Sequence, residues 1–103
     1  MAAYLIVDIA KIHDERVYAR YREHVSSGLV AAGGRYLARG GAVDVLEGSW
    51  RPGRLVLVRF DSPEAARRWW ASSDYAELRQ MRQDSTTTNM VLVEGIGEAE
   101  TAR

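Results

Sequence analysis

Arg54-Leu55-Val56-Leu57-Val58-Arg59-Phe60, followed at once by Asp61-Ser62-Pro63-Glu64, is a strand running into a capped helix. Its Leu55-Val56-Leu57-Val58 centre is continuously aliphatic, as the middle of a sheet requires. Ser62 is the N-cap, Pro63 takes the first helical position, and Glu64 places an acid in the first turn. The N-terminus repeats the arrangement. Tyr4 to Ile12 is a second strand rich in β-branched and aromatic residues, and His13-Asp14-Glu15 supplies a cap and two acidic first-turn positions.

Working outward, the helix after Glu15 carries Val17, Tyr18, Tyr21, Val25 and Leu29 on one face and ends at Gly33-Gly34. Arg35 to Arg39 reads as a short strand, Gly40-Gly41 as a turn and Ala42 to Glu47 as a second short strand. Together they form a hairpin or one bent strand, closed by the turn Arg51-Pro52-Gly53. The helix after Pro63 presents Ala66, Trp69 and Trp70. Ser72-Ser73-Asp74 then restarts a short helix with Tyr75, Leu78 and Arg82 on one side. Polar Asp84 to Thr88 leads into a last strand, Asn89 to Ile96. The expected unit is one domain over 1–97 with a frayed tail over 98–103. Its order predicts an α+β fold: a ferredoxin-like βαββαβ plait with an antiparallel sheet and helices on one side.

A sheet covered on one face only should alternate to polar residues on the other. Here Leu5, Val7 and Ile9 oppose Tyr4, Ile6 and Ala10; Val56, Val58 and Phe60 oppose Leu55 and Leu57; Val91 and Val93 oppose Met90 and Leu92. Both faces are apolar, and the chain has no spare element to cover the second. A second copy is the simplest cover, which predicts a homodimer closed as a dimeric α/β barrel. One ionisable residue per strand, Asp8, Arg59 and Glu94, interrupts these runs. They are expected to form a paired cluster at the dimer interface, or else to include a catalytic carboxylate.

Composition removes other classes. The chain has 103 residues, of which 47% are hydrophobic and 27% charged, so it supports one core and is not disordered. Fourteen basic and fourteen acidic residues cancel, which argues against a nucleic-acid or anionic-membrane partner. Cysteine is absent, excluding disulfides, thiol nucleophiles and Cys-ligated metal sites. Nucleophile elbow, phosphate loop, dinucleotide fingerprint and HExxH are also missing, so hydrolase and nucleotide readings fall away. His13 and His24 have no acid or His three or four residues away, so neither a metal nor a cofactor is expected, haem alone remaining as a third reading that needs an axial His. The N-terminus lacks a basic leader region, and no apolar run approaches spanning length, which implies a cytoplasmic protein without a membrane partner.

The polar residues that suit chemistry are few. Arg35 and Arg39 stand two alternations apart, on one expected sheet face, where they would hold a carboxylate ligand or pair with Glu47. Tyr18, Tyr21 and His24 border the inner side of the first helix, and Trp69, Ser72 and Tyr75 lie around the end of the second. They would line an aromatic pocket for a small planar ligand, or simply pack as core. Within that pocket His24 or Glu47 would transfer protons and Arg35 would stabilise negative charge.

Gly33-Gly34-Arg35-Tyr36-Leu37-Ala38-Arg39-Gly40-Gly41, then Val45-Leu46-Glu47-Gly48, Trp50, Pro52, Ala66, Trp69, Ser72, Tyr75 and Val91-Leu92-Val93-Glu94-Gly95, resembles a family of small uncharacterised bacterial proteins. That family, a domain of unknown function, belongs to the dimeric α/β-barrel superfamily, and the likeness covers nearly the whole chain. It implies the same plait and the same dimer. The superfamily's cofactor-independent monooxygenases, isomerases, haem-degrading enzymes and stress-response proteins narrow fold more than chemistry. The expected function is a homodimeric binder of a hydrophobic or aromatic small molecule, as a cofactor-independent monooxygenase, isomerase or cyclase. The rival is a non-catalytic dimeric interaction module.

Overall fold

A computed structural model describes residues 1–97; the expected tail over 98–103 lies outside them. Its elements are β1 (Ala3–Ile12), α1 (Glu15–Ala31), β2 (Arg35–Arg39), β3 (Arg54–Phe60), α2 (Pro63–Ala71), α3 (Ser73–Ser85) and β4 (Thr86–Glu94). Each helix starts where a side chain satisfies free amides. The Asp14 carboxylate accepts from the amides of Arg16 and Val17, Ser62 accepts from Ala65, and Ser72 accepts from Tyr75. Ser72 also ends α2, so one residue turns the chain from one helix into the next.

The sheet runs β2-β3-β1-β4 with every neighbour antiparallel, which is the expected ferredoxin-like plait. Register assigns the faces. Leu5 lies between Val58 and Leu92, and Val7 between Val56 and Met90, on the side covered by helices. Tyr4 lies between Arg59 and Val93, and Ile6 between Leu57 and Val91, on the side no helix covers. The covered side joins Tyr18, Tyr21, Val25 and Leu29 of α1 and Trp69 of α2 in one core. On the other side Ile6, Leu55 and Leu57 are only half-buried, and Val91 and Val93 are exposed.

Three sequence expectations change. Ala42 to Glu47 is not a strand: the whole stretch between β2 and β3 is a loop. Val43 and Val45 have strand-like alternation but no strand to pair with among the described residues, and Leu46 and Trp50 stand exposed beside them. The foot of that loop is fastened to β1, where Trp50 Nε1 donates to Asp8 Oδ2 at 3.0 Å and the Gly53 amide donates to Asp8 Oδ1 at 2.8 Å. Asp8, Arg59 and Glu94 also do not cluster. Asp8 pairs across from Leu55 and Asn89, four residues from the Tyr4 that faces Arg59, a separation of about 13 Å. Arg59 instead pairs with Asp61 at 2.7 Å, and Glu94 lies opposite Ala3, on the helix-covered side. Finally, α3 runs on to Ser85 and β4 begins at Thr86, because the three threonines favour extended backbone.

Candidate functional site

Between α1 and the covered face of the sheet lies a partly open slot, holding about 460 Å³ when its open mouth is counted. Aliphatic side chains of β1 and β3 form its floor, and Tyr18, Tyr21, Val25 and Leu29 of α1 form its roof. Trp69 and Arg82 reach it from α2 and α3, while Tyr36, Arg39, Arg54 and Arg22 complete the lining.

A β-bulge decides which β2 residues contribute. The register slips between Tyr36 and Ala38, so Tyr36 faces Val58 and Arg39 faces Val56, both on the covered side. Arg35 faces Arg59, on the open side. The bulge therefore splits the pair of arginines that strict alternation would place together.

The interior is a connected aromatic and polar group. Trp69 and Tyr75 rings lie 4.1 Å apart by centroid, and Tyr18 stacks on Tyr21 at 6.0 Å. Tyr21 Oη and Tyr75 Oη share a hydrogen bond of 2.8 Å, and Arg82 Nε donates to Tyr75 Oη at 3.5 Å. Arg82 is only 5% exposed, yet it has no carboxylate partner among the described residues. Burial pushes the Tyr21 phenol far above its usual range; Tyr75 adds to this and Arg82 opposes it. Tyr21 thus stays a neutral hydrogen-bonding phenol across the physiological range. Such a site can solvate an anion: the buried Arg82 guanidinium and the Tyr21 phenol face the slot, Tyr75 supports both from behind, and no carboxylate among the described residues lines it.

Residues 2–96 match the family described as Domain of unknown function (DUF1330). The chain belongs to that family. Among solved structures, a protein of unknown function from Rhodopseudomonas palustris, RPA0582, superposes on this DUF1330 chain with TM-score 0.73 at 13% identity, over 93% of this chain and 83% of that one. A methylated form of RPA0582 gives TM-score 0.75 at 12% identity, covering 96% and 84%. SnoaB, a cofactor-independent oxygenase from Streptomyces nogalater, gives TM-score 0.63 at 9% identity, covering 96% and 97%. At these identities the likeness is one of fold. No curated protein matches the sequence.

Within this DUF1330 chain the sequence-derived candidates separate cleanly. Tyr18, Tyr21, Trp69 and Arg39 line the slot, and Tyr75 is buried directly behind it. Ser72 is a cap, donating to the Trp69 carbonyl at 2.8 Å, and with Trp69 and Tyr75 it lines an outer groove between α1 and the α2–α3 pair. His24 lies exposed on α1, Arg35 points to the open sheet face and Glu47 is exposed in the loop, so these three are not brought together. His24 misses the slot because the inward face of α1 is set by Tyr18, Tyr21, Val25 and Leu29. Arg82, Arg22 and Arg54 were not legible as site residues. A signal existed for Arg82, a charge seven residues after Tyr75 on the same apolar helix face. Among the described residues no group of three or more His, Asp or Glu is placed to hold a metal, and no helix is long and apolar enough to cross a membrane.

Proposed function

We propose that this chain binds a planar hydrophobic or aromatic small molecule in the slot beneath α1 and acts on it as a cofactor-independent enzyme, working as a homodimer. The observation that carries the reading is Arg82, a buried cation with no carboxylate partner among the described residues, hydrogen-bonded to Tyr75 at the edge of an aromatic slot. The slot is lined by no carboxylate and no imidazole, so an acidic substrate, an enol or a phenol, fits its chemistry best. Arg82, with the Tyr75–Tyr21 pair behind it, would favour the ionised substrate and stabilise charge as it develops. Tyr18 and Trp69 would hold the ring in plane. Isomerisation, cyclisation and direct reaction with dioxygen all start from such an anion, and SnoaB, similar in fold, is an oxygenase that uses no cofactor. A purely structural module would match its buried charges internally, which Arg82 does not do among the described residues. The open sheet face supports the dimer: Val91 and Val93 are exposed on it, and Ile6 and Leu57 in the strands beyond them are only half-buried.

The test uses 1-naphthol, whose ionisation is read from its absorbance. Bound to the protein it should ionise about one pH unit or more lower than in buffer. Arg82→Gln should abolish that shift and Arg82→Lys, which keeps the charge, should retain part of it. An unshifted titration of probe that is demonstrably bound would overturn the anion-stabilising role.

A further inference from the structure

We propose that Arg22, Arg39 and Arg54 form an anion site at the mouth of the slot, which selects ligands carrying a carboxylate on an apolar, planar body. This rests on the small-molecule reading above and names the ligand class it would admit. Three elements deliver the guanidinium groups: Arg22 from the middle of α1, Arg39 as the last residue of β2 and Arg54 as the first of β3. All three line both the slot and the open cleft outside it, which holds about 900 Å³ and is completed by Ala19, Arg20 and Glu23.

The guanidinium groups are held rather than free. Arg39 Nη2 donates to the Arg22 carbonyl at 3.4 Å, and its guanidinium carbon lies 4.5 Å from the centre of the Tyr36 ring. Arg22 lies 5.9 Å from the centre of the Tyr18 ring. The Arg54 guanidinium packs against Gly40, whose φ of +71° and lack of a side chain both matter, since a Cβ there would collide with it. The Arg54 Nε is buried with no hydrogen-bond partner. None of the three arginines pairs with a carboxylate among the described residues, Glu23 included.

Three neighbouring cations with no counter-charge are unfavourable, and one oxyanion seated among them relieves that repulsion, while the unpartnered Nε of Arg54 marks a guanidinium whose donors the protein itself does not fully satisfy. Carboxylate fits better than phosphate. A planar guanidinium matches either one bidentately, but among the described residues the mouth has no helix N-terminus of the kind that commonly completes a phosphate site. Behind the mouth, the slot between Tyr18, Tyr36 and the aliphatic floor would take the apolar body and leave the charge at the rim.

The experiment is calorimetric titration of the intact protein with a matched pair of probes, 1-naphthoate and neutral 1-naphthalenemethanol. Naphthoate should bind about tenfold tighter or more, and added salt should weaken it alone. Arg54→Gln and, independently, the exposed Arg39→Gln should each weaken naphthoate about tenfold while leaving the alcohol unchanged. Equal affinity for both probes, unaltered by either substitution, would overturn the anion site and leave the pocket standing. Binding of neither probe would overturn both readings.

Discussion

The two faces of the sheet are built from similar side chains and have opposite fates. On one, Val58 and Phe60 are fully buried beneath helices. On the other, Val91 is 58% exposed, and Leu57, between two buried-face neighbours in sequence, is only half-covered. Aliphatic composition alone therefore does not say where the core is; what covers a face does. The covered face hosts a slot lined by chemistry, while the open face carries aliphatic surface of the kind that a second copy would bury.

That contrast can be broken from either side. Phe60→Ala should cost about 3–5 kcal/mol of folding stability, because it empties a site with no exposure; chemical denaturation measures it, and a loss below about 1 kcal/mol would mean the covered face is loosely packed. Val91→Asp should barely change folding of the single chain but weaken dimer association on the order of 100-fold, about 3 kcal/mol, by placing an unpaired carboxylate in the covered interface. Sedimentation equilibrium reads this directly, and an unaltered association constant would place the dimer contact elsewhere. The third effect is smaller per step and concerns the interior. Tyr21 has its folded pKa raised above the unfolded value of 10.0, so its contribution is complete below that pH and is lost as pH rises past it. Stability should fall by about 1.4 kcal/mol per pH unit above about pH 10, and Tyr21→Phe should flatten that slope. An unchanged slope would mean the phenol is reached by solvent.

The plait was legible because its signals are local: Ser62 caps α2 as expected, the caps read in His13-Asp14-Glu15 and Ser72-Ser73-Asp74 fall on Asp14 and Ser72, and the aliphatic runs of β1 and β3 pair as central strands. Pairing partners are not local. Val43 and Val45 alternate like a strand, yet the described residues offer them no partner, so Ala42 to Glu47 remains a loop tied at its foot by Asp8. The site was half-legible for the same reason. Tyr18, Tyr21 and Trp69 follow from helical periodicity, whereas the bulge that separates Arg35 from Arg39 depends on how β2 meets β3. Arg54 and Arg22 become site residues only once three distant elements converge on one mouth. Charge clusters drawn from face alternation failed similarly: Asp8 and Arg59 share a face but sit at opposite ends of it.

Native mass spectrometry of the protein at micromolar concentration tests the central claim most directly, since it reads the cover of the open face and any retained ligand together. The account predicts a species of twice the 11.5 kDa chain mass. A spectrum containing only the single chain would contradict it, because the apolar open face would then stand in water uncovered.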